Sequence, residues 1–317
     1  MTKPTLSVVM ITYAHEQFIK QAIEGVLMQQ CNFDVELIIA DDCSPDTTES
    51  IVNDICQTHP NASWIKYTKH KNNLGMMPNF IFALQQAEGK YIALCEGDDY
   101  WTDPLKLQKQ IDFLEANPDF VVCGHDAKIV NTNGELLKSS TLTSEYKRDA
   151  TSLELKKGFW ILTLTLVIRN VPILKNFPKE ALKVINGDIF LISLLGVYGK
   201  YKYLNNIDNA AYRIHDGGVW SLKNDNFKNL QNIITRIIIS KYYERVEPKI
   251  SKELFLNNFK YADKILIKSL NLRMDFLIKM KLFYYTFYNS YKSKGILKST
   301  PFFIKRLGRL IFSQFSK

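Results

Sequence analysis

Short, near-continuous apolar runs alternate with stretches of helical periodicity through the first hundred residues, and that alternation leaves few folds open. Leu6–Tyr13 (LSVVMITY) is rich in β-branched and apolar residues, as expected of a strand buried on both faces. From Glu16 to Gln29, apolar residues at Phe18, Ile19, Ala22, Ile23, Val26 and Leu27 recur at helical spacing. Val35–Ala40 predicts a second buried strand closed by Asp41 and Asp42, and Ser44 opens a capped helix running to about Thr58. Trp64–Thr68 predicts a third strand and Pro78–Ala87 a third helix with Gly89 just past its end. Lys90–Cys95 predicts a fourth strand, which runs into Glu96-Gly97-Asp98-Asp99. Strands alternating with helices imply an α/β fold, a mostly parallel sheet with helices on both faces.

Further along, Pro104–Ala116 reads as helix, and Phe120–Asn131 and Leu162–Arg169 as strands that extend the sheet. Asp188–Tyr198 reads as an apolar helix, and Tyr201–Leu204 and Ala211–His215 as short strands. Strand signals stop after Gly217-Gly218, and from Phe227 onward the chain reads as basic helix. The expected division is an α/β domain over residues 1–224 and a basic helical region over 225–317.

Charge follows that division. The net +9 of the 317 residues suggests at first a nucleic-acid or membrane-surface protein. Residues 1–224, however, hold 22 Lys and Arg against 26 Asp and Glu, a net of −4, while residues 225–317 hold 19 against 6, a net of +13. The 46% apolar content excludes wholesale disorder. Cys31, Cys43, Cys56, Cys95 and Cys123 form neither CxxC nor zinc spacing, which fits free thiols in a reducing compartment. The N-terminal apolar run is too short for a signal peptide, and no window is long enough for a spanning helix, so a cytoplasmic location is expected.

In an open α/β sheet, ligands bind beyond the carboxyl ends of the strands. The polar residues collect at those ends: Thr12, Tyr13, His15 and Glu16; Asp41 and Asp42; Glu96, Asp98 and Asp99. Any one cluster is as well explained by helix caps and solvated loops. Three at corresponding ends point to something cationic, and hard carboxylate oxygens suit Mg²⁺ or Mn²⁺, which commonly bridge to phosphate. Neither GxGxxG nor GxxxxGK[ST] follows the first strand, which argues against a dinucleotide dehydrogenase and a P-loop NTPase.

The segments SVVMITYAHEQFIKQAIEGVLMQQ, VELIIADDCSPDTT, NNLG and GKYIALCEGDDYWTDPLKLQKQIDFLE, followed by INGDIFLISLLGVYGKYKYLNNIDNAAYRIHDGGVWS, resemble the family 2 inverting glycosyltransferases. The resemblance runs over roughly residues 5–221. It implies the GT-A fold, a Rossmann-like, mixed but mostly parallel sheet flanked by helices, here with a C-terminal helical extension. It places Thr12, Tyr13, Glu16, Asp42 and Asp98 at the nucleotide, with Tyr13 packing on the base. Glu96-Gly97-Asp98 stands where the family has its DxD metal motif, with Asp99 as a frequent third acid and His215 near the metal or diphosphate. Glu in place of the first Asp leaves that position's role less defined than that of Asp98. Asp188 matches the catalytic base, although Gly187-Asp188 by itself also reads as a helix start. Arg213 is open between a phosphate contact and an internal ion pair. Gly217, Gly218 and Trp220 resemble a mobile loop closing over the donor. Trp101 either faces the acceptor or packs, and His15, His59, His70 and His125 show no metal spacing.

The chemistry implied is transfer of a hexosyl or N-acetylhexosaminyl group from a nucleotide-diphosphate sugar, a UDP-sugar first, to a glycan or lipid-linked acceptor in bacterial polysaccharide or lipopolysaccharide assembly. Inversion is a single displacement, so a base must take the acceptor proton opposite the leaving diphosphate, and Mn²⁺ or Mg²⁺ neutralises that leaving group. A nucleotidyltransferase is an alternative, but it would carry a glycine-rich basic loop where this chain has TYAHEQ; an inactive sugar-nucleotide-binding subunit is another. In the tail, Phe227, Leu230, Ile233, Ile234, Ile237 and Ile238 form a stripe expected to dock on the catalytic domain. PFFIKRLGRLIFSQFSK, aromatic on one side and basic on the other, suits an anionic membrane surface, which would make the protein peripheral on the cytoplasmic face of the inner membrane. No nucleic-acid motif accompanies the charge.

Overall fold

A computed structural model describes residues 3–220, 222–270, 276–295, 299, 301, 304 and 305. The chain divides into two compact units. Met1–Leu182 and Leu191–Leu222 form one, and Lys183–Phe190 and Lys223–Lys317 the other.

The first unit is built on a seven-stranded sheet. Its strands are β1 (Leu6–Thr12), β2 (Val35–Asp41), β3 (Ile65–Lys69), β4 (Tyr91–Leu94), β5 (Phe120–Gly124), β8 (Val167–Arg169) and β9 (Lys200–Tyr203), in the order β3-β2-β1-β4-β8-β5-β9. The β3-β2-β1-β4 half is parallel, whereas β8 runs antiparallel to both β4 and β5. Every residue of β2 and β4 is buried, the charged Glu36 and Asp41 of β2 included; β3, at the edge, alternates half-buried and exposed residues. Helices α1 (Ile19–Leu27), α2 (Thr48–Thr58), α3 (Met76–Gln86) and α4 (Lys106–Ala116) connect the strands. A single core joins α1 to the sheet, with Ile19, Ile23 and Val26 packed among Leu6, Val8, Met10, Leu37 and Ala93.

Two expected strands differ. Phe120–Asn131 is broken into β5 and β6 (Ala127–Val130), and β6 lies in a second, three-stranded sheet with β7 (Leu136–Lys138) and β10 (Ala210–Arg213). The break comes from buried Asp126. Its carboxylate accepts the N–H groups of Ala127, Thr141 and Leu142 and the Ser140 hydroxyl, and meets Lys147 at 2.8 Å, so the chain bends around it. In Leu162–Arg169 only Val167–Arg169 pairs, because Thr163–Thr165 closes a 3₁₀ turn and Thr165 Oγ1 donates to the Leu162 carbonyl. Short helices α5 (Ser152–Lys156) and α6 (Pro172–Lys175) complete this part of the chain, α5 with a Thr151–Glu154 capping box.

Helix α7 (Gly187–Leu195) begins in the second unit and continues in the first. The second unit otherwise consists of α8 (Asp225–Val246), α9 (Pro248–Leu270) and α10 (Phe276–Lys294). Asn224 caps α8 by accepting the Phe227 N–H at 2.9 Å. The expected docking stripe is used inside this unit: Leu230, Ile233 and Ile237 pack against Ala262, Leu266, Leu282 and Phe283, with Ile234 beside them. A three-helix arrangement buries an amphipathic face without needing another domain. Among the described residues, no helix is long and apolar enough to cross a membrane. The amphipathic segment expected at 301–317 lies outside the described residues except at 301, 304 and 305.

Candidate active site

Parallel pairing of β1 with β2 and β4 brings three polar strand ends to one edge of the sheet. Thr12 sits beside Asp41, and its carbonyl accepts the Asp42 N–H at 2.9 Å. Past β4, the Gly97 N–H donates to the Ile11 carbonyl at 3.0 Å, so the Glu96–Asp99 turn lies against the end of β1.

The loop after β1 is held by its neighbour. Consecutive N–H groups of Ala14, His15 and Glu16 donate to Ser44 Oγ, Thr48 Oγ1 and Asp46 Oδ2. Ala14 and Cys43 both adopt positive φ, 55° and 63°, which these bonds offset. The polar residues of the DDCSPDTT segment therefore shape the β1 loop. Glu16 is exposed, and one of its oxygens accepts both the N–H and the hydroxyl of Thr47. Asp42 is buried, and its two oxygens accept the Leu74 and Gly75 N–H groups at 2.6 and 2.9 Å, folding the NNLG segment over the strand end. Gly75, at φ 90°, holds a conformation that suits glycine. Tyr13 is 46% exposed.

At the centre is Asp98. His215 Nε2 lies 3.0 Å from its Oδ2, and His15 Nε2 lies 3.8 Å from the same atom. The ligand atoms of His15, Asp98 and His215 all fall within 4.8 Å of one another, the only such metal-competent group among the described residues. Burial acts to raise the Asp98 carboxyl, but the His215 hydrogen bond and the charges of His15 and His215 hold it below the ordinary carboxylate range. Burial lowers the His15 imidazole, with the Asp98 charge opposing. The Asp98–His215 spacing fits a divalent cation, because donors about 2.1 Å from one ion at a right angle stand about 3.0 Å apart.

Asp99 and Glu96, the other two expected metal ligands, are not members of that group. Asp99 Oδ1 accepts the Arg213 N–H at 2.8 Å; burial, together with the negative charges of Asp98 and Glu96, pushes its carboxyl well above the usual range. Glu96 is half-buried and stands outside the three-residue group.

Arg213 is not on a loop. It ends β10, is 4% exposed, and donates to the carbonyls of Asp98, Asn131 and Thr132 and to Gln21 Oε1. Its guanidinium also stands over Phe18 and Tyr100, 4.8 and 5.3 Å from the ring centres. These bonds fasten the acidic turn to the second sheet, as do the paired Tyr100 and Ala211 backbone bonds of 3.2 and 2.8 Å. Beyond β10, Gly218 N–H donates to the His215 carbonyl, Gly217 is exposed and Trp220 half-buried. Trp101 packs: it is 2% exposed, donates to the Leu164 carbonyl and lies 4.0 Å under Lys106 Nζ. Asp188, in the second unit, stands on the first turn of α7. Burial raises its carboxyl above the ordinary value against backbone hydrogen bonds that lower it.

His15 is the residue that sequence spacing set aside. Its signal was position alone, three residues past Thr12 on the strand adjacent to β4.

The family model for glycosyl transferase family 2 matches residues 7–176, more than half of the chain. An uncharacterized protein of Mycobacterium tuberculosis is 35% identical over 216 residues, 68% of this chain and 60% of that protein. The minor teichoic acid biosynthesis protein GgaB of Bacillus subtilis is 37% identical over 287 residues, 84% of this chain and 30% of that protein. The chain thus spans less than two thirds of either relative. The S. aureus TarS 1–349 fragment, solved in complex with UDP-GlcNAc, superposes with a TM-score of 0.60 at 20% identity, over 98% of this chain and 81% of that one.

Proposed function

The chain belongs to glycosyl transferase family 2 and has the GT-A fold, and from that premise we propose that it is a metal-dependent inverting glycosyltransferase. The proposed donor is a nucleotide-diphosphate sugar, a UDP-sugar first, carrying a hexosyl or N-acetylhexosaminyl group. The proposed acceptor is a glycan or lipid-linked chain of bacterial cell-surface polysaccharide assembly. The observation that carries the reading is the Asp98–His215 pair at the carboxyl edge of β1 and β4, 3.0 Å apart and flanked by exposed Tyr13 and buried Asp42. The name of GgaB, a teichoic acid biosynthesis protein, and the UDP-GlcNAc held by TarS support the acceptor class and the donor class.

In this reading Asp98 and His215 hold the cation, which supplies positive charge to the departing diphosphate. Tyr13 stacks on the base, and Thr12, Glu16 and Asp42 line its edge. Arg213 acts from behind, holding the Asp98 carbonyl and the turn rather than touching phosphate. Gly217 and Gly218 let Trp220 close over the donor and exclude water. Asp188 is the proposed base; burial moves its carboxyl toward the operating pH, the direction that strengthens a general base. Residues 301–317, whose sequence is aromatic and basic, are proposed to rest on an anionic membrane.

The test is purified chain with Mn²⁺ and a panel of sugar nucleotides, following nucleoside diphosphate release. Turnover or binding with one donor is expected, and none with any donor refutes the reading. Asp188→Asn should abolish transfer and keep donor affinity; lost donor binding would remove Asp188 as the base. Deleting residues 300–317 should weaken binding to anionic vesicles, and unchanged binding refutes the membrane contact.

A further inference from the structure

We infer that His15 is a third protein ligand of the cation, and that the His15–Asp98–His215 set selects a first-row transition ion over Mg²⁺. The inference rests on the reading of this edge as a cation-dependent transferase site and names a ligand and an ion preference that reading does not require.

The geometry comes first. His15 Nε2 and His215 Nε2 converge on one carboxylate oxygen, Asp98 Oδ2, at 3.8 and 3.0 Å. Donors bound at about 2.1 Å to a single ion stand about 3.0 Å apart at a right angle and about 4.2 Å apart when opposite. Both distances lie inside that span, and all three ligand atoms lie within 4.8 Å of one another. The two rings meet edge to face with centroids 5.9 Å apart, so neither blocks the other's approach to the shared point.

The second feature is how the His15 ring is held. Its Nδ1 lies 3.2 Å from Thr12 Oγ1, which leaves Nε2 turned toward Asp98. Ligating histidines commonly bond through the other ring nitrogen in this way, fixing tautomer and orientation. Room for the ring depends on Gly97: a Cβ there would come within 3.0 Å of His15 Nδ1 and 2.8 Å of Thr12 Oγ1. On the opposite side, His215 packs on Phe18 with ring centroids 4.7 Å apart. The backbone of His15 is separately anchored to Thr48 Oγ1.

The ion preference follows from the donor atoms. Mg²⁺ favours an all-oxygen octahedral shell and retains its waters, whereas imidazole nitrogens suit first-row transition ions. Two imidazoles and one carboxylate therefore favour a first-row transition ion over Mg²⁺, with Mn²⁺ the weakest binder of that series and so the most demanding probe of the preference.

The test uses the full chain without nucleotide. MnCl₂ is titrated with free Mn²⁺ read by EPR, and pulsed EPR of the bound ion counts coupled imidazole nitrogens. Two nitrogens are expected in the wild type and one in His15→Ala, with Mn²⁺ affinity lowered at least about tenfold in the variant, the smallest cost typical of even an outer-shell partner. A hundredfold excess of MgCl₂ over MnCl₂ should leave most Mn²⁺ bound. One nitrogen in the wild type, unchanged affinity in a folded His15→Ala, or displacement by Mg²⁺ at parity overturns the inference. The wild-type nitrogen count needs no variant, so a misfolded His15→Ala does not block the test. One nitrogen together with sugar-nucleotide turnover overturns the ligand assignment and leaves the transferase reading standing. Two nitrogens with no sugar nucleotide bound supports the ion site and refutes that reading.

Discussion

Replacing Arg213 with methionine separates a structural bolt from a substrate contact. The side chain is 4% exposed and gives four hydrogen bonds, to the carbonyls of Asp98 (3.0 Å), Asn131 (3.2 Å) and Thr132 (2.9 Å) and to Gln21 Oε1 (2.6 Å). Hydrogen bonds from a charged donor are each worth about 1.5–3 kcal/mol net. Methionine keeps apolar contact with Phe18 and Tyr100 and removes the cost of burying a guanidinium, which offsets part of the loss. The balance is a destabilisation of about 3 kcal/mol, among the larger effects of single substitutions. At about 2–4 °C per kcal/mol, the first melting transition should fall by about 6–12 °C. Arg213→Lys keeps the charge but lacks the planar fork, so it should fall between. Calorimetry of both variants, with donor affinity measured well below the transition, decides the matter. If Arg213→Met melts within about 2 °C of the wild type yet loses donor binding, the guanidinium serves the phosphate and this account of it is wrong.

Gly97→Ala puts a Cβ within 3.0 Å of Thr12 and His15; it should cost about 1–3 kcal/mol by urea unfolding and lower Mn²⁺ affinity, and an unperturbed variant would contradict the packing. Asp42→Ala leaves the Leu74 and Gly75 N–H groups without their carboxylate, so hydrogen exchange at residues 73–75 should accelerate at least tenfold; unchanged exchange would show that the loop holds itself. Lys106, buried against Trp101, is lowered by burial to about 7. From pH 7 toward 10 the unfolded chain keeps a proton the native state has shed, so this group makes wild-type stability rise by up to about 1.4 kcal/mol per pH unit. Lys106→Met, which also leaves the buried Gln110 Oε1 without its donor, should lack that slope; parallel wild-type and variant pH curves would show that burial does not lower the ammonium.

Much of the parallel half of the sheet was legible. Strands β1, β2 and β4 are short, mostly apolar runs, and each ends in or is followed by polar residues at the edge where ligands collect. Asp98, Asp42 and His215 could be singled out on that basis and on the family resemblance. The neighbouring acids were less readable, since Glu96, Asp98 and Asp99 are equivalent as letters. Only the turn geometry gives Asp98 to the imidazoles and Asp99 to the Arg213 backbone. Trp101, which read equally well as a surface or a core residue, is placed by its bond to the Leu164 carbonyl.

The sequence by itself determined the alternation, the positions of the polar strand ends and the segregation of charge into a −4 portion and a +13 portion. These depend on side-chain periodicity and turn chemistry, which act over a few residues. Tertiary structure decided which ends meet. His15 joins Asp98 because β1 lies next to β4, and His215 joins it across 117 residues because β10 bridges back to Tyr100. It also decided that the stripe on α8 is covered by α9 and α10, and that Asp126 breaks a strand which periodicity alone would have continued. Such contacts depend on strand order and on buried polar groups finding partners far along the chain, and no local pattern carries that information.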